Sequence, residues 1–380
     1  MNRCHFCLSS DLIEIPNEEG MKGVTSDCKV WPRLSKIGVC KTCGYPQTII
    51  DDDWHKDTKK IYENYQIYHQ GSQKDHFLFN HEQSSSRSGQ LISGLKERSL
   101  IGHRGKLLEV GPGAGNFLVE FHNSYANWHL HASDINDSNK EQILSLNSVR
   151  GFYSSPIKQI QEHFDLIACV HSLEHIPDPF NFLVELKKIL KPNGKVLINV
   201  PNCLINPFVI CVADHCSHFE PMSLENLFLA AGFKILRSST EWIPKELVLI
   251  AENNPKKKEN RDFLPLANPY LKLNEHLAWL NQTIKELKSI DPAVKLGCLG
   301  TTIAGTWVYA QIKDRLNFFV DEDPGRQGNT HLNLPILSPN QVERDSYLFL
   351  AFPYEIAHDI AKKYQHYPYK VILPPKELGF

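Results

Sequence analysis

The 380-residue sequence predicts an α/β fold in which a small cysteine-bearing module, a central parallel sheet and a second α/β unit follow one another. Three observations predict this order. Short apolar runs alternate with helix-like segments between about residues 91 and 250, as in βαβ units. Two C-x-x-C pairs lie within the first 43 residues. A pattern of strand, glycine turn and helix returns near residue 300.

The composition is that of an ordinary soluble globular protein, with 42% hydrophobic and 22% charged residues. The net charge of −2 provides no basic surface for nucleic acid. The first ten residues lack the apolar core of a signal peptide. The longest charge-free stretch, Val196–Ala213, contains two prolines and three asparagines, which disfavours a membrane span. We therefore expect a cytoplasmic protein with a small-molecule partner and neither nucleic-acid nor membrane binding.

Shifts in composition predict four segments. They are a cysteine-bearing module at residues 1–55, a helical, Tyr-rich connector at 56–90, an α/β core at 91–252 and a C-terminal α/β domain at 253–380. The basic run Pro255–Asp262 is interpreted as a solvated linker between the last two. The oligomeric state is not predicted.

Cysteine spacing in the first segment predicts a metal site. Each C-x-x-C knuckle can direct two thiolates at one ion, so Cys4, Cys7, Cys40 and Cys43 together form a tetrahedral Cys4 zinc set. All four positions on the metal would be filled by protein, which predicts a structural Zn²⁺. A module with so little core needs such a cross-link.

Apolar runs between residues 91 and 252 predict four strands: Lys106–Val110, Trp128–Ser133, Phe164–Val170 and Lys195–Val200. A helix should lie between the last two, with Leu183, Leu186 and Leu190 on one face and Pro192–Gly194 at its end. A later helix should have Ser223 as its N-cap and Gly232 at its C-terminal end.

The first of these strands leads into three glycines, Gly111, Gly113 and Gly115, which allow a ligand to approach the backbone closely. Glu109 precedes the glycines by two residues, and Asp134 follows the next strand, 25 residues later. A dinucleotide site usually has G-x-G-x-x-G, and a carboxylate at Glu109 would repel a pyrophosphate. It suits a cationic ligand with an amino group, and Asp134 can accept hydrogen bonds from a ribose. S-adenosyl-L-methionine has these features.

Four segments, "LLEVGPGAGNFL", "ASDIN", "FDLIACVHSLEHIPDP" and "LKPNGKVLINVPN", resemble the successive motifs of class I S-adenosylmethionine-dependent methyltransferases over about residues 105–235. The resemblance implies a Rossmann-like core with a seven-stranded sheet that ends in an antiparallel hairpin. It implies that Glu109 and the three glycines line the methionine part, that Asp134 holds the ribose and that His171 lies beside the cofactor. Glu174 and His175 would serve as acid/base groups or shape the loop over the cofactor.

The flanking segments resemble those of nucleotide-sugar C-methyltransferases, which have a zinc-binding domain, a methyltransferase core and a C-terminal Rossmann-like domain. The quoted stretches are "TSDCKVWPRLSKIGVCKTCGYPQTI", "VKLGCLGTTIAGTWVYAQI" and "VDEDPGRQG". The resemblance implies that the C-terminal domain helps to hold a nucleotide-sugar substrate. Its glycine turn alone would also allow a second dinucleotide site, although a structural or substrate-binding role is favoured.

Methylation of a sugar needs a base, and histidine titrates in the required range. The family has a Tyr-His-Glu-His stretch, and here Val212, Ala213 and Asp214 replace its first three residues while His215 keeps the last. We expect His215 to be the base, oriented by Asp214, with His218 as a second candidate. These histidines could instead pack beside a helix.

Three tyrosines at spacing three, Tyr62, Tyr65 and Tyr68, could close over the substrate, with Tyr68 a candidate catalytic residue, or form one face of a packed helix. The sequence thus predicts a methyltransferase for a nucleotide-linked sugar or a related glycan precursor. Two alternatives stay open: an O-methyltransferase for another small polar metabolite, and a non-catalytic, zinc-stapled scaffold with a methyltransferase fold. Whether carbon or oxygen is methylated is also open.

Overall fold

A computed structural model describes residues 3–17, 20–63, 65, 77–79 and 84–376. The N-terminal part has a three-stranded antiparallel sheet of order β1-β4-β5, a separate β2–β3 hairpin and a helix. Its elements are β1 (Leu12–Glu14), β2 (Gly23–Val24), β3 (Val30–Trp31), β4 (Ile37–Cys40), β5 (Pro46–Thr48) and α1 (Asp52–Glu63). The strands are short, and their buried residues pack on the other parts of the chain rather than on a core of their own.

The connector contains an antiparallel pair, β6 (Phe77–Phe79) and β7 (Ser84–Ser86), and leads directly into α2 (Arg87–Glu97). The Ser86 hydroxyl caps α2 by accepting a hydrogen bond from the Gly89 N–H at 3.0 Å. This cap fixes the start of the helix, and with it the position of Arg87.

The central sheet has seven strands in the order β10-β9-β8-β11-β12-β14-β13. Its strands are β8 (Gly105–Val110), β9 (Trp128–Ser133), β10 (Val149–Tyr153), β11 (Phe164–Val170), β12 (Leu190–Pro201), β13 (Phe233–Ser239) and β14 (Glu246–Asn253). The first five are parallel, and β13 and β14 form an antiparallel pair at one edge. The predicted α/β class and the seven-stranded sheet with its final hairpin are confirmed.

Helices cover both faces of this sheet, because β8 and β11 are apolar on both sides. They are α3 (Asn116–Ser124), α4 (Lys140–Ser145), α5 (Pro179–Lys188) and α6 (Pro221–Ala230), in addition to α2. Two predicted details are wrong. Leu190 begins β12 instead of ending α5. Glu220 rather than Ser223 is the N-cap of α6, because Pro221 starts that helix and the Ser223 hydroxyl accepts from the Glu220 N–H as the third-position partner of a capping box.

The C-terminal part is a second α/β unit with the sheet order β17-β18-β16-β15-β19-β20, parallel except for β17. Its elements are α7 (Pro269–Ser289), β15 (Leu296–Leu299), α8 (Ile303–Ile312), β16 (Leu316–Val320), β17 (Thr330–His331), β18 (Leu334–Leu337), β19 (Tyr347–Leu350), α9 (Tyr354–Tyr364) and β20 (Lys370–Ile372). The predicted second Rossmann-like unit is therefore present.

The β2–β3 hairpin joins the three parts. Val24 forms a parallel bridge with Val212 of the core, and the Cys28 carbonyl accepts a hydrogen bond from Thr306 of α8 at 3.4 Å. The tip of the hairpin therefore reaches the place where the core and the C-terminal unit meet. Along the described parts of the chain, the structure contains no helix that combines the length and apolarity needed to cross a membrane.

Candidate functional site

A large cleft, with a volume of about 1920 Å³, lies between the three parts of the chain. The carboxyl ends of β8, β9 and β11 open into it from the core, and those of β15, β16 and β19 open into it from the C-terminal unit. The hairpin tip and α1 supply a further wall. Ligands of open α/β sheets bind at such strand ends, so the cleft is the candidate site.

The glycine turn after β8 forms one wall of the cleft. Gly111, Gly113 and Gly115 all have positive φ, at 71°, 55° and 84°, in the left-handed region that other residues avoid. A Cβ on Gly111 would come within 2.9 Å of the Ser172 Cβ. The turn therefore depends on these glycines, and it brings the N-terminus of α3 to the cleft.

Two carboxylates flank this turn. Glu109 is 2% exposed and lies at the cleft wall just before the turn. Asp134 follows β9, and one of its oxygens accepts a hydrogen bond from the Asn136 N–H at 2.9 Å. Burial raises the pKa of Asp134 despite that hydrogen bond. The structure thus brings together Glu109, the three glycines and Asp134 as predicted, and Ser155–Lys158 continue the same wall.

His171 follows β11 with a positive φ of 52°, which is rare for a residue with a side chain. Its Nδ1 lies 3.3 Å from Glu174 Oε1, and its Nε2 lies 3.1 Å from Glu246 Oε2. Arg87 donates to Glu246 Oε1 through Nε at 3.0 Å and approaches it through an Nη at 2.9 Å. Burial and the Arg87 charge each disfavour protonation, but Glu246 and Glu174 outweigh them and raise the pKa of His171. His171 reaches the cleft as predicted, fixed in place by two carboxylates.

A second chain of hydrogen bonds runs from the hairpin to His175. Ser26 donates to both Asp214 oxygens, through its N–H at 2.9 Å and its hydroxyl at 2.5 Å. Asp214 Oδ2 lies 3.3 Å from His175 Nδ1, and the Tyr62 hydroxyl lies 3.2 Å from the same nitrogen. Burial lowers the pKa of His175, but the Asp214 carboxylate outweighs it and raises that pKa to about 9. The Tyr65 hydroxyl lies 3.2 Å from the Ser26 hydroxyl.

His215 lines the cleft, but its predicted partnership with Asp214 is wrong. The Asp214 carboxylate binds Ser26 and His175, because the hairpin approaches it from the far side. The His215 ring instead meets the His175 ring edge to face, with centroids 4.8 Å apart. Burial and the charge of His175 lower the pKa of His215 to about 4.

Of the other two catalytic candidates, His218 lies in the described part of the chain and Tyr68 does not. His218 is 1% exposed and does not line the cleft, and its Nε2 lies 3.2 Å from the Thr48 hydroxyl of β5. It packs between the core and the N-terminal module, which is the alternative that the sequence left open. Tyr68 lies outside the described residues, whereas Tyr62 and Tyr65 both line the cleft.

The four predicted metal-binding cysteines form one cluster. Cys4 Sγ lies 3.5 Å from Cys43 Sγ, Cys7 Sγ lies 3.5 Å from Cys40 Sγ, and all four sulfurs are within 4.8 Å of one another. Four thiolates around zinc at about 2.3 Å would have sulfur–sulfur distances of roughly 3.8 Å. The cluster therefore has the dimensions of a Cys4 zinc site.

The C-terminal wall of the cleft was predicted only in outline. Gly300 follows β15 with a φ of 92°, and Asp321 follows β16. Asp321 Oδ2 accepts a hydrogen bond from the Thr301 hydroxyl at 2.8 Å and lies 3.4 Å from Arg326. Phe352 contributes a ring to the same wall, with Lys245 of the core 4.7 Å above its centroid.

Sequence reasoning missed Ser26, Arg87 and Glu246. Ser26 lies in the quoted "TSDCK" stretch, but nothing local in the sequence indicated that it would meet Asp214, 188 residues away. Arg87 and Glu246 are 159 residues apart and follow no motif. Only folding brings these side chains together.

Comparison with known proteins identifies the central segment. Residues 81–238 match the methyltransferase domain family. A ubiquinone biosynthesis O-methyltransferase of Pasteurella multocida is 35% identical over 51 residues, which are 13% of this chain and 21% of that protein. The mitochondrial one of Schizosaccharomyces pombe is 25% identical over 109 residues, which are 27% of this chain and 40% of that protein. The chain thus spans less than half the length of these curated relatives.

Two solved structures are similar to the core. The Burkholderia thailandensis 1,6-didemethyltoxoflavin-N1-methyltransferase, with bound S-adenosylhomocysteine, is 16% identical with a TM-score of 0.39, over 55% of this chain and 96% of that chain. A SAM-dependent methyltransferase from Aquifex aeolicus is 19% identical with a TM-score of 0.35, over 43% of this chain and 92% of that chain.

Proposed function

Because residues 81–238 match the methyltransferase domain family, we propose that this chain transfers a methyl group from S-adenosyl-L-methionine to a small polar acceptor in the cleft. The observation that carries the proposal is the left-handed glycine turn after β8, flanked by the buried carboxylate of Glu109 and the half-buried carboxylate of Asp134. Acids at these two places suit a ligand that carries an ammonium and a ribose.

The roles of the cofactor-binding residues follow from their positions. Glu109 would accept from the α-ammonium, and Gly111 and Gly113, which line the cleft, would let the methionine part lie against the backbone. Gly115 ends the same turn and leads into α3 with a left-handed φ. Asp134 would accept from the ribose hydroxyls. His171 would form the wall at the end of β11, held by Glu174 and Glu246 so that its ring does not turn into the cofactor space.

Transfer from a sulfonium is an in-line displacement, so the acceptor atom must be deprotonated and aligned behind the methyl group. His215 is our candidate base because its ring lines the cleft. Asp214 is not a candidate, because its carboxylate is paired with His175. His175 is positioned beside it by Asp214 and Tyr62. Tyr62 and Tyr65, which both line the cleft on the same side, would cover the acceptor.

For the acceptor we propose a nucleotide-linked sugar or a related glycan precursor. The size of the cleft supports this, because about 1920 Å³ exceeds the 300–1,000 Å³ typical of small-ligand pockets and leaves room beside the cofactor. The wall from the C-terminal unit, around Gly300, Asp321 and Phe352, would contact the part of the acceptor farthest from the methyl group. The segments shared with ubiquinone biosynthesis O-methyltransferases favour O-methylation of a small molecule as the second candidate.

We also propose that Cys4, Cys7, Cys40 and Cys43 hold one structural Zn²⁺. The dimensions of the cluster support it, and four thiolates leave no open position for chemistry. Its contribution to function would be indirect. The metal would fix the N-terminal module, whose hairpin tip carries Ser26 to Asp214 and thereby positions His175.

The test is methyl transfer from labelled S-adenosyl-L-methionine into a panel of nucleotide sugars and free polar metabolites, with the methyl position read by NMR. No binding of the cofactor at millimolar concentration would remove the enzyme function and leave the scaffold alternative. For the base, we expect His215→Ala to lower kcat by about 10²- to 10⁴-fold with little change in cofactor affinity. Near-normal turnover of His215→Ala, together with loss of turnover in His218→Ala or Tyr68→Phe, would show that the base is His218 or Tyr68 and not His215.

A further inference from the structure

We infer that Glu174, His175 and His215 form a second metal site, which takes a first-row divalent cation such as Zn²⁺ at the wall of the cleft. One ligand atom from each of the three residues lies within 4.8 Å of the others. Two imidazoles and one carboxylate are a donor set that zinc and its first-row neighbours bind, in contrast to the all-oxygen sets of Mg²⁺ and Ca²⁺.

The carboxylate of this group is ion-paired on one oxygen only. Glu174 is 1% exposed, and neither of its side-chain oxygens has a hydrogen bond within the described structure. Its nearest charge is His171 Nδ1 at 3.3 Å, on one oxygen only. A buried charge is retained only when it is paired or binds a metal, so a cation between Glu174 and the two histidines would satisfy it.

The histidine next to Glu174 is oriented as a ligand. His175 Nδ1 faces the Asp214 carboxylate at 3.3 Å and the Asp214 carbonyl at 3.1 Å, which leaves Nε2 without a hydrogen bond among the described residues. A metal-binding histidine nearly always donates its other ring N–H to such a carboxylate or carbonyl. Ser26, which donates to both Asp214 oxygens, fixes this outer partner in turn.

The two segments that carry the donors are fastened together by the backbone. The N–H groups of Cys216 and Ser217 both point at the Glu174 carbonyl, at 2.7 and 3.2 Å. The turn with Glu174 and His175 and the segment with His215 are therefore held at a fixed separation. Metal sites need this preorganisation, because a loose donor set loses its affinity to conformational entropy.

The charge of the cleft also favours a cation. Among the described residues that line it, eleven are Asp or Glu and six are Lys or Arg. The cofactor would bring its positive charge near Glu109, whereas Glu174 lies in the turn that follows β11. A divalent ion at Glu174 would offset part of this excess.

The metal site itself does not depend on the proposed function, and only its predicted effect on methyl transfer rests on that function. A His215 nitrogen that binds a cation cannot also accept a proton, so the loaded site would suppress the base that we propose. Added zinc should then inhibit methyl transfer in a manner that chelation reverses. Binding itself is measured without cofactor or acceptor, so failure of the metal site and failure of the proposed activity are distinguishable.

The test is zinc stoichiometry by elemental analysis, and zinc affinity by calorimetry, on the full chain with its four cysteines already loaded. With zinc added in excess, we expect two zinc ions per wild-type chain, and one in Glu174→Gln and in His215→Ala. Glu185→Gln is the matched control, since Glu185 also lines the cleft but belongs to no donor group. Asp214→Asn should keep the site and weaken it by about 10- to 100-fold, as loss of an outer partner does.

Unchanged stoichiometry and affinity in both Glu174→Gln and His215→Ala would overturn the inference, as would a single zinc ion in the wild-type chain. A thermal melt like that of wild type shows that each variant is folded. Because His215 lies at the cleft wall, its replacement by Ala provides a second variant if Glu174→Gln does not fold. Protection of His175 and His215 from diethylpyrocarbonate by zinc, seen by mass spectrometry, would support the site independently of affinity.

Discussion

Replacement of Asp134 by Ala tests the cofactor site most directly. Asp134 stands at the carboxyl end of β9, beside the glycine turn, and its carboxylate faces the cleft. Its carboxylate accepts the Asn136 N–H at 2.9 Å, and because a carboxylate has about four lone-pair sites, acceptors remain for the two hydroxyls of a ribose. The substitution removes these acceptors and leaves the β9 strand and the glycines in place.

The magnitude follows from the charge and burial of the group. A hydrogen bond to a charged partner contributes about 1.5–3 kcal/mol, and Asp134 is buried enough that its pKa is raised. A loss of that size weakens binding of S-adenosyl-L-methionine by roughly 10- to 150-fold. Asp134→Asn keeps one oxygen acceptor without the charge, so it should fall between Asp134→Ala and wild type.

Isothermal titration calorimetry on the full chain measures this loss. Asp137→Ala is the matched control, because Asp137 is an exposed acid three residues along the same loop and does not line the cleft. We expect its affinity to stay within about twofold of wild type. Equal affinities for wild type and Asp134→Ala would refute the ribose assignment. Equal losses of affinity in Asp134→Ala and Asp137→Ala would show that the effect comes from the negative charge of the loop in general and not from a contact of Asp134 with the ribose.

Three further substitutions test the zinc site, the buried charges and the glycine turn. Cys43→Ser should lower the amount of bound zinc in elemental analysis, and zinc-free wild-type protein would contradict the site. The substitution should reduce turnover more than cofactor affinity, because the N-terminal module reaches the cleft through its hairpin and not through the glycine turn. Glu246→Ala should reduce the free energy of unfolding by about 3–5 kcal/mol in urea, because it removes a buried carboxylate that pairs with both Arg87 and His171. Glu343→Ala, in an exposed ion pair, should cost less than about 1 kcal/mol, and equal losses would show that burial does not determine the cost. Gly115→Ala should lower both the melting temperature and the cofactor affinity. Gly115 has a φ of 84°, and the new Cβ would lie 2.8 and 2.9 Å from neighbouring atoms. A melting curve like that of wild type would show that the turn tolerates a side chain.

Much of the core could be predicted because its signals are local. Trp128–Ser133 and Phe164–Val170 form strands at the predicted bounds, since buried parallel strands require continuous apolar runs. The glycines after β8 were predicted to form a tight turn, and their positive φ values explain why no other residue would serve. The two C-x-x-C pairs predicted a four-cysteine cluster, because each knuckle fixes its own pair of sulfurs over a few residues.

Local signals failed where two elements compete for one residue. Leu190 has the spacing of a helical position, yet it belongs to β12, because pairing of Phe164 with Leu190 in the sheet outweighs one more helical turn. Ser223 has the chemistry of an N-cap, but Pro221 starts α6 two residues earlier and Glu220 takes that place. In both cases the sequence predicted the element and missed its boundary.

The sequence by itself determined the order of the elements, the glycine turn with its two acids and the cysteine cluster, since each depends on residues near one another in the chain or on a repeated spacing. Tertiary structure alone decided which groups meet in the cleft. Asp214 precedes His215 in sequence but binds His175 and Ser26, and Arg87 reaches Glu246 across 159 residues. Partners of this kind are selected by the packing of the hairpin, the core and α2 against one another. A buried carboxylate binds whichever donor that packing brings to it, because leaving it unpaired costs more than any local preference can offset.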